Sequence, residues 1–435
     1  MKYTPFPQEL FTENRKRFIA ELKPNAVAIF NSHDEMPRSA DSQFYFSQNR
    51  DLFYLSGIDQ EDSILVLYPD APNPIFREML FLKRTNATIA IWEGHKYTKE
   101  EATATSGIAR IHWLEEFDSI LKMVMHQAEY VYLNLNEHDR SAWHQKYIDL
   151  DFAHRIQSQF PLHKMERSAP IMHKLRAIKS THEVNAMKEA VRITKNAFDR
   201  VMKFTKPGVW EYEIEAEITH EFLRSRATGH AYTPIIASGA SACVLHYIEN
   251  NKQCKDGDLM LLDFGAEYAN YAADLTRCIP VNGKFSARQK EIYNAVLNIH
   301  KAAKKMLVKG DTWDNYHMKV GQITTEELLR LGLITKDDCK TDDWANEPWN
   351  ENKAYRKYLM HGTSHFLGLD VHDVGNRYRH FTEGMVFTCE PGIYIPEEGI
   401  GVRIENDILI TADGNIDLMA EIPLEVEEIE QIMAS

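Results

Sequence analysis

The stretch 256-DGDLMLLDFGAEYANYAADLTRCIPV-281 carries the pattern on which this 435-residue chain is best read. Leu259 to Leu262 is an unbroken apolar run of strand length, the signature of a strand buried on both faces, and it ends in Asp263. A turn rich in small residues follows, and Asp274 opens a second strand at Leu275. A hairpin of that shape brings Asp263 and Asp274 face to face. Two unpaired buried carboxylates repel each other and are costly to desolvate, so one reading places a cation between them. The other makes Asp263 the cap of a turn and Asp274 a surface residue paired with Arg277. The hairpin by itself leaves both open.

Three further segments weigh on that choice. In 361-HGTSHFLGLDVHDVG-375 three histidines, His361, His365 and His372, lie close together among glycines that permit turns and close approach. Glu390 stands in 385-MVFTCEPGIYI-395 and Glu405 in 402-VRIENDILIT-411, each between apolar residues of high strand propensity where a lone charge is out of place. Asp263, Asp274, His365, Glu390 and Glu405 together supply four carboxylates and one imidazole, whose charges balance two divalent cations. Oxygen-rich ligation of this kind suits manganese, and less selectively cobalt or zinc.

Ahead of this stretch, Ser180 followed by Glu183 has the form of a capping box. Val184, Met187, Val191, Thr194, Phe198 and Val201 then recur at helical spacing up to Pro207-Gly208. A second helix with the same kind of start, Ser286 and Gln289, runs to about Val308. Lys206-Pro207-Gly208-Val209-Trp210 and Lys309-Gly310-Asp311-Thr312-Trp313 both lead into another amphipathic segment. The parallel points to a duplicated α+β unit with the site between related halves. Before about residue 172, β-rich runs (Ala26 to Phe30, Ser63 to Tyr68, Tyr130 to Leu135) alternate with helical stretches such as Phe117 to His126, which predicts a small α/β domain. The expected division is therefore 1–172 and 173–435, an α/β chain of two domains.

Composition narrows the function classes. With 64 acidic against 50 basic residues the formal charge is −14, which repels nucleic acid and anionic membranes. The first residues form no apolar run of signal-peptide length, and no later stretch approaches the roughly 18 apolar residues of a membrane span. The expected location is the cytoplasm. The five cysteines, Cys243, Cys254, Cys278, Cys339 and Cys389, are odd in number and scattered, so reduced thiols are expected rather than a disulfide framework or zinc knot.

The four segments 263-DFGAEYANYAADLTR-277, 361-HGTSHFLGLDVHD-373, 389-CEPGIYI-395 and 401-GVRIENDILIT-411 resemble the ligand-bearing motifs of the pita-bread metallopeptidases, which include methionine aminopeptidase, prolidase and aminopeptidase P. The N-terminal segments 38-RSADSQFYFSQNRDLFYLSG-57 and 90-AIWEGH-95 are similar to the N-terminal domain of bacterial aminopeptidase P. The resemblance implies that Asp263 chelates one metal, His365 and Glu390 the other, and that Asp274 and Glu405 bridge both. It implies a substrate-holding role for His246, active-site roles for His361 and His372, and a place near the site for Arg403 and Tyr394. Trp92 resembles a tryptophan that reaches into a neighbouring subunit's site, which implies a homodimer or homotetramer.

The resulting expectation is an aminopeptidase hydrolysing the N-terminal Xaa-Pro bond of peptides, with a metal-bridging hydroxide as nucleophile. Glu390 serves as general base and acid, and His372 stabilises charge on the carbonyl oxygen. An Xaa-Pro amide has no N–H, so a pocket lined by His246, His361 and Tyr394 recognises proline by shape. The alternatives are prolidase, which takes Xaa-Pro dipeptides, and a pita-bread binding module without catalysis, a kind that loses the ligands this chain keeps.

Overall fold

A computed structural model describes residues 3–140, 147–347, 350 and 352–435. Contacts divide the chain into two compact units, Pro5–Arg176 and Ala177–Ser435, the latter joined by Tyr3 and Thr4. The division falls just past the change of pattern at 172/173, at the end of a helix, Ala169–Arg176.

In the first unit, six strands form one mixed sheet: β1 (Ala26–Asn31), β2 (Ser63–Leu67), β3 (Glu78–Leu82), β4 (Ile111–Trp113), β5 (Tyr130–Leu133) and β6 (Lys164–Arg167), in the order β4-β3-β2-β1-β5-β6. The central strand β1 is buried along its whole length, which is why its sequence is a continuous apolar run. Helix α1 (Ala87–Glu93) is capped by Asn86, whose side chain accepts from Thr88 N and Ile89 N. Helix α2 (Phe117–Met125) buries Phe117, Ile120, Leu121, Val124 and Met125, its i, i+3, i+4 stripe, against the sheet's Val27, Ile29, Phe81 and Val131.

The second unit opens with α3 (Thr181–Phe204) and α4 (Glu211–Arg224), and the same pairing recurs in α5 (Ala287–Met306) and α6 (Trp313–Arg330). Ser180 with Glu183 and Ser286 with Gln289 form reciprocal capping boxes, and all six apolar-stripe positions from Val184 to Val201 are buried. Each helix pair is followed by antiparallel strands. After α4 come β7 (Ile235–Ser238), β8 (Leu259–Phe264), β9 (Ala266–Tyr268), β10 (Tyr271–Ala272) and β11 (Leu275–Pro280). After α6 come β12 (Val386–Cys389), β13 (Gly392–Ile395), β14 (Ile400–Arg403), β15 (Asn406–Thr411) and β16 (Gly414–Asp417). β8 lies between β7 and β11, and β15 between β12 and β16. The two tryptophans that flag the repeat differ in surroundings: Trp313 packs among Phe366, Phe381 and Phe387, whereas Trp210 is partly exposed and stacks on Tyr212.

Two details differ from the pattern reading. The segment between Asp263 and Asp274 is itself a short hairpin, β9 to β10, turned by Ala269 and Asn270, which both have positive φ as a type I′ turn requires. Glu390 and Glu405 do not lie inside strands. Glu390 follows β12, where the chain leaves one sheet for the β13–β14 pair, and Glu405 precedes β15, where it returns. At such a switch the carboxylate is released from the ladder and can turn inward.

Candidate metal centre

Two hairpins meet at the centre. On the first, Asp263 pairs in register with Thr276 across β8 and β11, and Asp274 lies just ahead of β11. On the second, Cys389 pairs with Asn406, which sets Glu390 and Glu405 beside each other at the ladder's end. The halves are stitched by Glu405 N donating to Thr276 O at 3.1 Å and by Asp274 N donating to an Asp407 carboxylate oxygen at 3.3 Å. Arg277 is fully buried. It donates to the carbonyls of Thr276, Glu405 and Pro423 and to Asn406 Oδ1 at 2.7 to 2.9 Å. It is therefore committed to holding the Glu405 backbone, and Asp274 is buried as well. The surface pairing of Asp274 with Arg277 does not occur.

Asp263, Asp274, His365, Glu390 and Glu405 converge. Ligand atoms of Asp274, His365 and Glu405 lie within 4.8 Å of one another. His365 Nε2 stands 3.4 Å from Asp274 Oδ2 and 3.6 Å from Glu390 Oε1. His365 Nδ1 donates to the carbonyl oxygen of Phe366 at 2.9 Å, which leaves Nε2 as the ring nitrogen that faces the carboxylates. Glu405 Oε2 accepts from Thr276 Oγ1 at 2.6 Å, while Oε1 is buried with no hydrogen-bond partner. Burial, and after it the charge of Asp263, pushes the Asp274 carboxyl well above its usual range. Burial with Asp274 does the same to Glu405, and burial with Glu405 to Glu390. Ligand atoms gathered within 4.8 Å, an orphaned buried oxygen and carboxylates that resist ionising together describe a donor set suited to a divalent cation.

The remaining expected residues surround this set. Arg403 hydrogen-bonds Asp263 through Nη2, Tyr394 OH through Nη1 at 2.9 Å and Thr276 Oγ1 through Nε at 3.0 Å. The Tyr394 hydroxyl lies 2.8 Å from His361 Nε2. His361 Nδ1 donates to Gly362 O at 2.7 Å and stands 3.7 Å from Glu390 Oε2. Burial, then the nearby Arg403 charge, lowers the His361 pKa to about 3, so the ring is neutral at physiological pH. His372 meets His365 edge to face with 4.4 Å between ring centroids. His246 is exposed, on a loop anchored behind it by Glu211, whose carboxylate accepts from Ser238 N and Oγ, Tyr247 OH and Lys252 N. Trp92 belongs to the other unit, where it is 86% exposed on α1.

Three contributors escaped the sequence reading. Tyr232 places its hydroxyl 2.6 Å from Asp263 Oδ1 and 2.5 Å from Asp274 Oδ1; a tyrosine ahead of a strand gives no local signal of this. Thr276 links Glu405 to Arg403, and its two-residue spacing from Asp274 was a usable sign that both face one side. Thr388 Oγ1 accepts from His365 N at 3.1 Å and reaches Glu390 Oε1 at 3.4 Å.

Four carboxylates carried by two hairpins of a duplicated helix-and-strand unit, with an imidazole from the span ahead of the second, define a metal-dependent hydrolase. Residues 185–412 match the model of metallopeptidase family M24, and residues 11–132 that of the aminopeptidase P N-terminal domain. The chain is 36% identical to the Xaa-Pro aminopeptidase of Haemophilus influenzae, covering 98% of this chain and 97% of the relative. It is 34% identical to the Xaa-Pro aminopeptidase of Escherichia coli over the same shares. Zinc-substituted Escherichia coli aminopeptidase P in complex with product has the same fold, with a TM-score of 0.87 at 34% identity over 99% of both chains. The chain belongs to metallopeptidase family M24. It is a metal-dependent aminopeptidase with the pita-bread fold, and the prolidase alternative is not favoured.

Proposed function

We propose that the chain removes the N-terminal residue from peptides whose second residue is proline, using two divalent ions held by Asp263, Asp274, His365, Glu390 and Glu405. Manganese is the working metal, with cobalt or zinc as substitutes. The observation that carries the reading is the convergence of Asp274, His365 and Glu405 ligand atoms within 4.8 Å, flanked by Asp263 and Glu390. Four ionised carboxylates balance two divalent charges, and the oxygen-rich set favours manganese. When bound, the metal pair supplies a Lewis acid for the scissile carbonyl and acidifies a water to make it nucleophilic near neutral pH.

The chain's own residues do the rest. Glu390, between His365 and His361, takes the proton from the attacking water at its carboxylate and delivers it to the proline nitrogen, which must be protonated to leave. His361, kept neutral and held by Gly362 O and the Tyr394 hydroxyl, offers the proline ring a fixed wall instead of a charge. Since the Xaa-Pro nitrogen carries no proton, recognition by shape replaces the hydrogen bond an ordinary peptidase uses. Arg403 holds Asp263 and the Tyr394 hydroxyl in place. His246, on its exposed loop, lines the proline pocket with His361 and Tyr394, and His372 donates to the carbonyl oxygen as charge builds there.

The setting is a cytoplasmic homodimer or homotetramer. The exposed Trp92 supports an oligomer in which it enters a neighbouring subunit's site, and the five free thiols are compatible with a reducing compartment. Among the described residues, no helix is long and apolar enough to cross a membrane. The test is to strip the protein of metal and titrate it with manganese, cobalt and zinc by calorimetry, while following hydrolysis of an Xaa-Pro dipeptide, an Xaa-Pro-Xaa tripeptide and a tripeptide without proline. Two manganese ions per chain and cleavage of the Xaa-Pro-Xaa tripeptide are expected. One ion per chain refutes the paired centre, and cleavage of the proline-free peptide at equal rate refutes the specificity.

A further inference from the structure

Between Lys357 and Val386 the chain forms no helix and no strand, yet this span carries His361, His365 and His372. The backbone on both sides of His365 is bonded to β12 and its end, through Leu367 N to Val386 O, Thr388 N to His365 O and Glu390 N to Thr363 O, whereas His372 lies beyond these bonds and its placement falls to other contacts. Asp373 N donates to Phe366 O at 2.9 Å and closes the span into a loop with His365 and His372 at its two ends. Packed against that loop is a fully buried ion pair, Lys179 Nζ to Asp373 Oδ2 at 3.0 Å, with both side chains 1% exposed. Lys179 directly precedes Ser180, the cap of α3, and its own N–H donates to Gly384 O at 2.8 Å. The loop closes tightly over the pair: a Cβ on Gly368 would lie 2.1 Å from Asp373 Oδ2 and 2.8 Å from Lys179 Cε. The Gly368 carbonyl in turn accepts the N–H of Ala272, on the hairpin that carries Asp274.

A buried ion pair is seldom a source of stability, because desolvation offsets the attraction and an apolar pair serves as well. Its distinctive property is direction. An ammonium and a carboxylate in contact permit one placement of Asp373, and with it of the adjoining His372, where an apolar contact would allow sliding. We propose that Lys179 and Asp373 are positioning residues, whose buried pair sets the His372 ring against His365 so that it meets the substrate carbonyl oxygen. The proposal rests on the role assigned to His372 above.

The test uses the manganese-loaded full chain and the double variant Lys179→Met/Asp373→Asn, which leaves no charge stranded, alone and combined with His372→Ala. We expect kcat for an Xaa-Pro-Xaa tripeptide to fall about 100-fold in the double variant, with manganese affinity unchanged and no further loss when the pair is removed from His372→Ala. Undiminished kcat in the double variant overturns the proposal, as does an equal loss in the His372→Ala background. Weakened manganese binding does so too, since it moves the effect to His365. Lys179→Arg keeps the pair but displaces it, so it covers the case in which the double variant does not fold. Reduced kcat at unchanged melting temperature supports positioning, and wild-type kcat refutes it. If His372→Ala alone leaves kcat intact, the reading of His372 fails and the proposal with it. If His372→Ala is impaired and the double variant is not, the pair alone is refuted.

Discussion

Gly265 is the position at which one methyl group should do most damage to this site. It lies between Asp263 and Asp274 where the two arms of their hairpin cross, and a Cβ there would stand 1.7 Å from the Ala273 carbonyl oxygen and 2.6 Å from its carbon. Ordinary contact begins at 3.4 Å, so in Gly265→Ala the two backbones must separate by roughly 1.7 Å, and nothing flexible is available to yield. The separation strains the bonds from Ala231 N to Gly265 O and from Ala273 N to Ala266 O, at 2.9 and 3.1 Å. Overpacking against backbone belongs at the upper end of the usual range, about 3 kcal/mol, which lowers Tm by roughly 6 °C or more in a unit of this size. Because Ala273 adjoins Asp274, that carboxylate moves too, far beyond the ~0.2 Å that metal ligation tolerates. Manganese affinity, read by calorimetry on the stripped protein, should fall together with Tm. Gly257→Ala is the control: its φ is +84° but no atom lies within 4 Å, so it should cost about 1 kcal/mol of backbone strain and leave metal affinity alone. A Gly265→Ala protein that melts within about 2 °C of wild type and binds manganese equally well would refute the reasoning.

Two further outcomes are expected. Thr276→Val preserves shape but removes the hydroxyl that donates to Glu405 Oε2 and accepts from Arg403 Nε; manganese affinity should drop roughly 10- to 100-fold with the fold retained, and unchanged calorimetric affinity would contradict this. In the first unit, burial lifts the Asp149 carboxyl from 3.8 to about 7 although Asn31 and Asn49 donate to it. Between those values the native state keeps a proton that the unfolded chain has lost. Stability from this group is therefore complete below about pH 4, lost as pH rises toward 7, and level above, a change on the order of 4 kcal/mol. Melting curves should show this slope in wild type and lack it in Asp149→Asn, and an identical slope in both would dismiss Asp149 as its source.

How much was readable beforehand follows the range of the interaction involved. The capping boxes at Ser180 and Ser286, the apolar stripe from Val184 to Val201 and the strand Ala26 to Phe30 are local patterns, and each became the element its spacing implied. Glu390 and Glu405 were conspicuous as charges among strand formers, but their place at the breaks between strands was hidden. Pro391-Gly392 after Glu390 marks a turn and Ile404 carries the apolar run up to Glu405, but the change of sheet that separates β12 from β13 and β14 from β15 has no local signature. Tyr232 was invisible because what marks it is its distance from two carboxylates more than thirty residues away.

The sequence by itself determined the chemistry on offer: four carboxylates and an imidazole in ordered segments, a charge count suited to divalent ions, and the hairpins and capped helices that carry them. Tertiary structure alone decided how those groups are held. It committed Arg277 to carbonyls instead of Asp274, made His361 a neutral wall, turned His365 Nε2 toward the carboxylates, and buried Lys179 against Asp373. The physical reason is that desolvation and hydrogen-bond direction depend on atoms brought together from far along the chain, as Thr276 is with Glu405, and no local spacing encodes which distant partner will arrive.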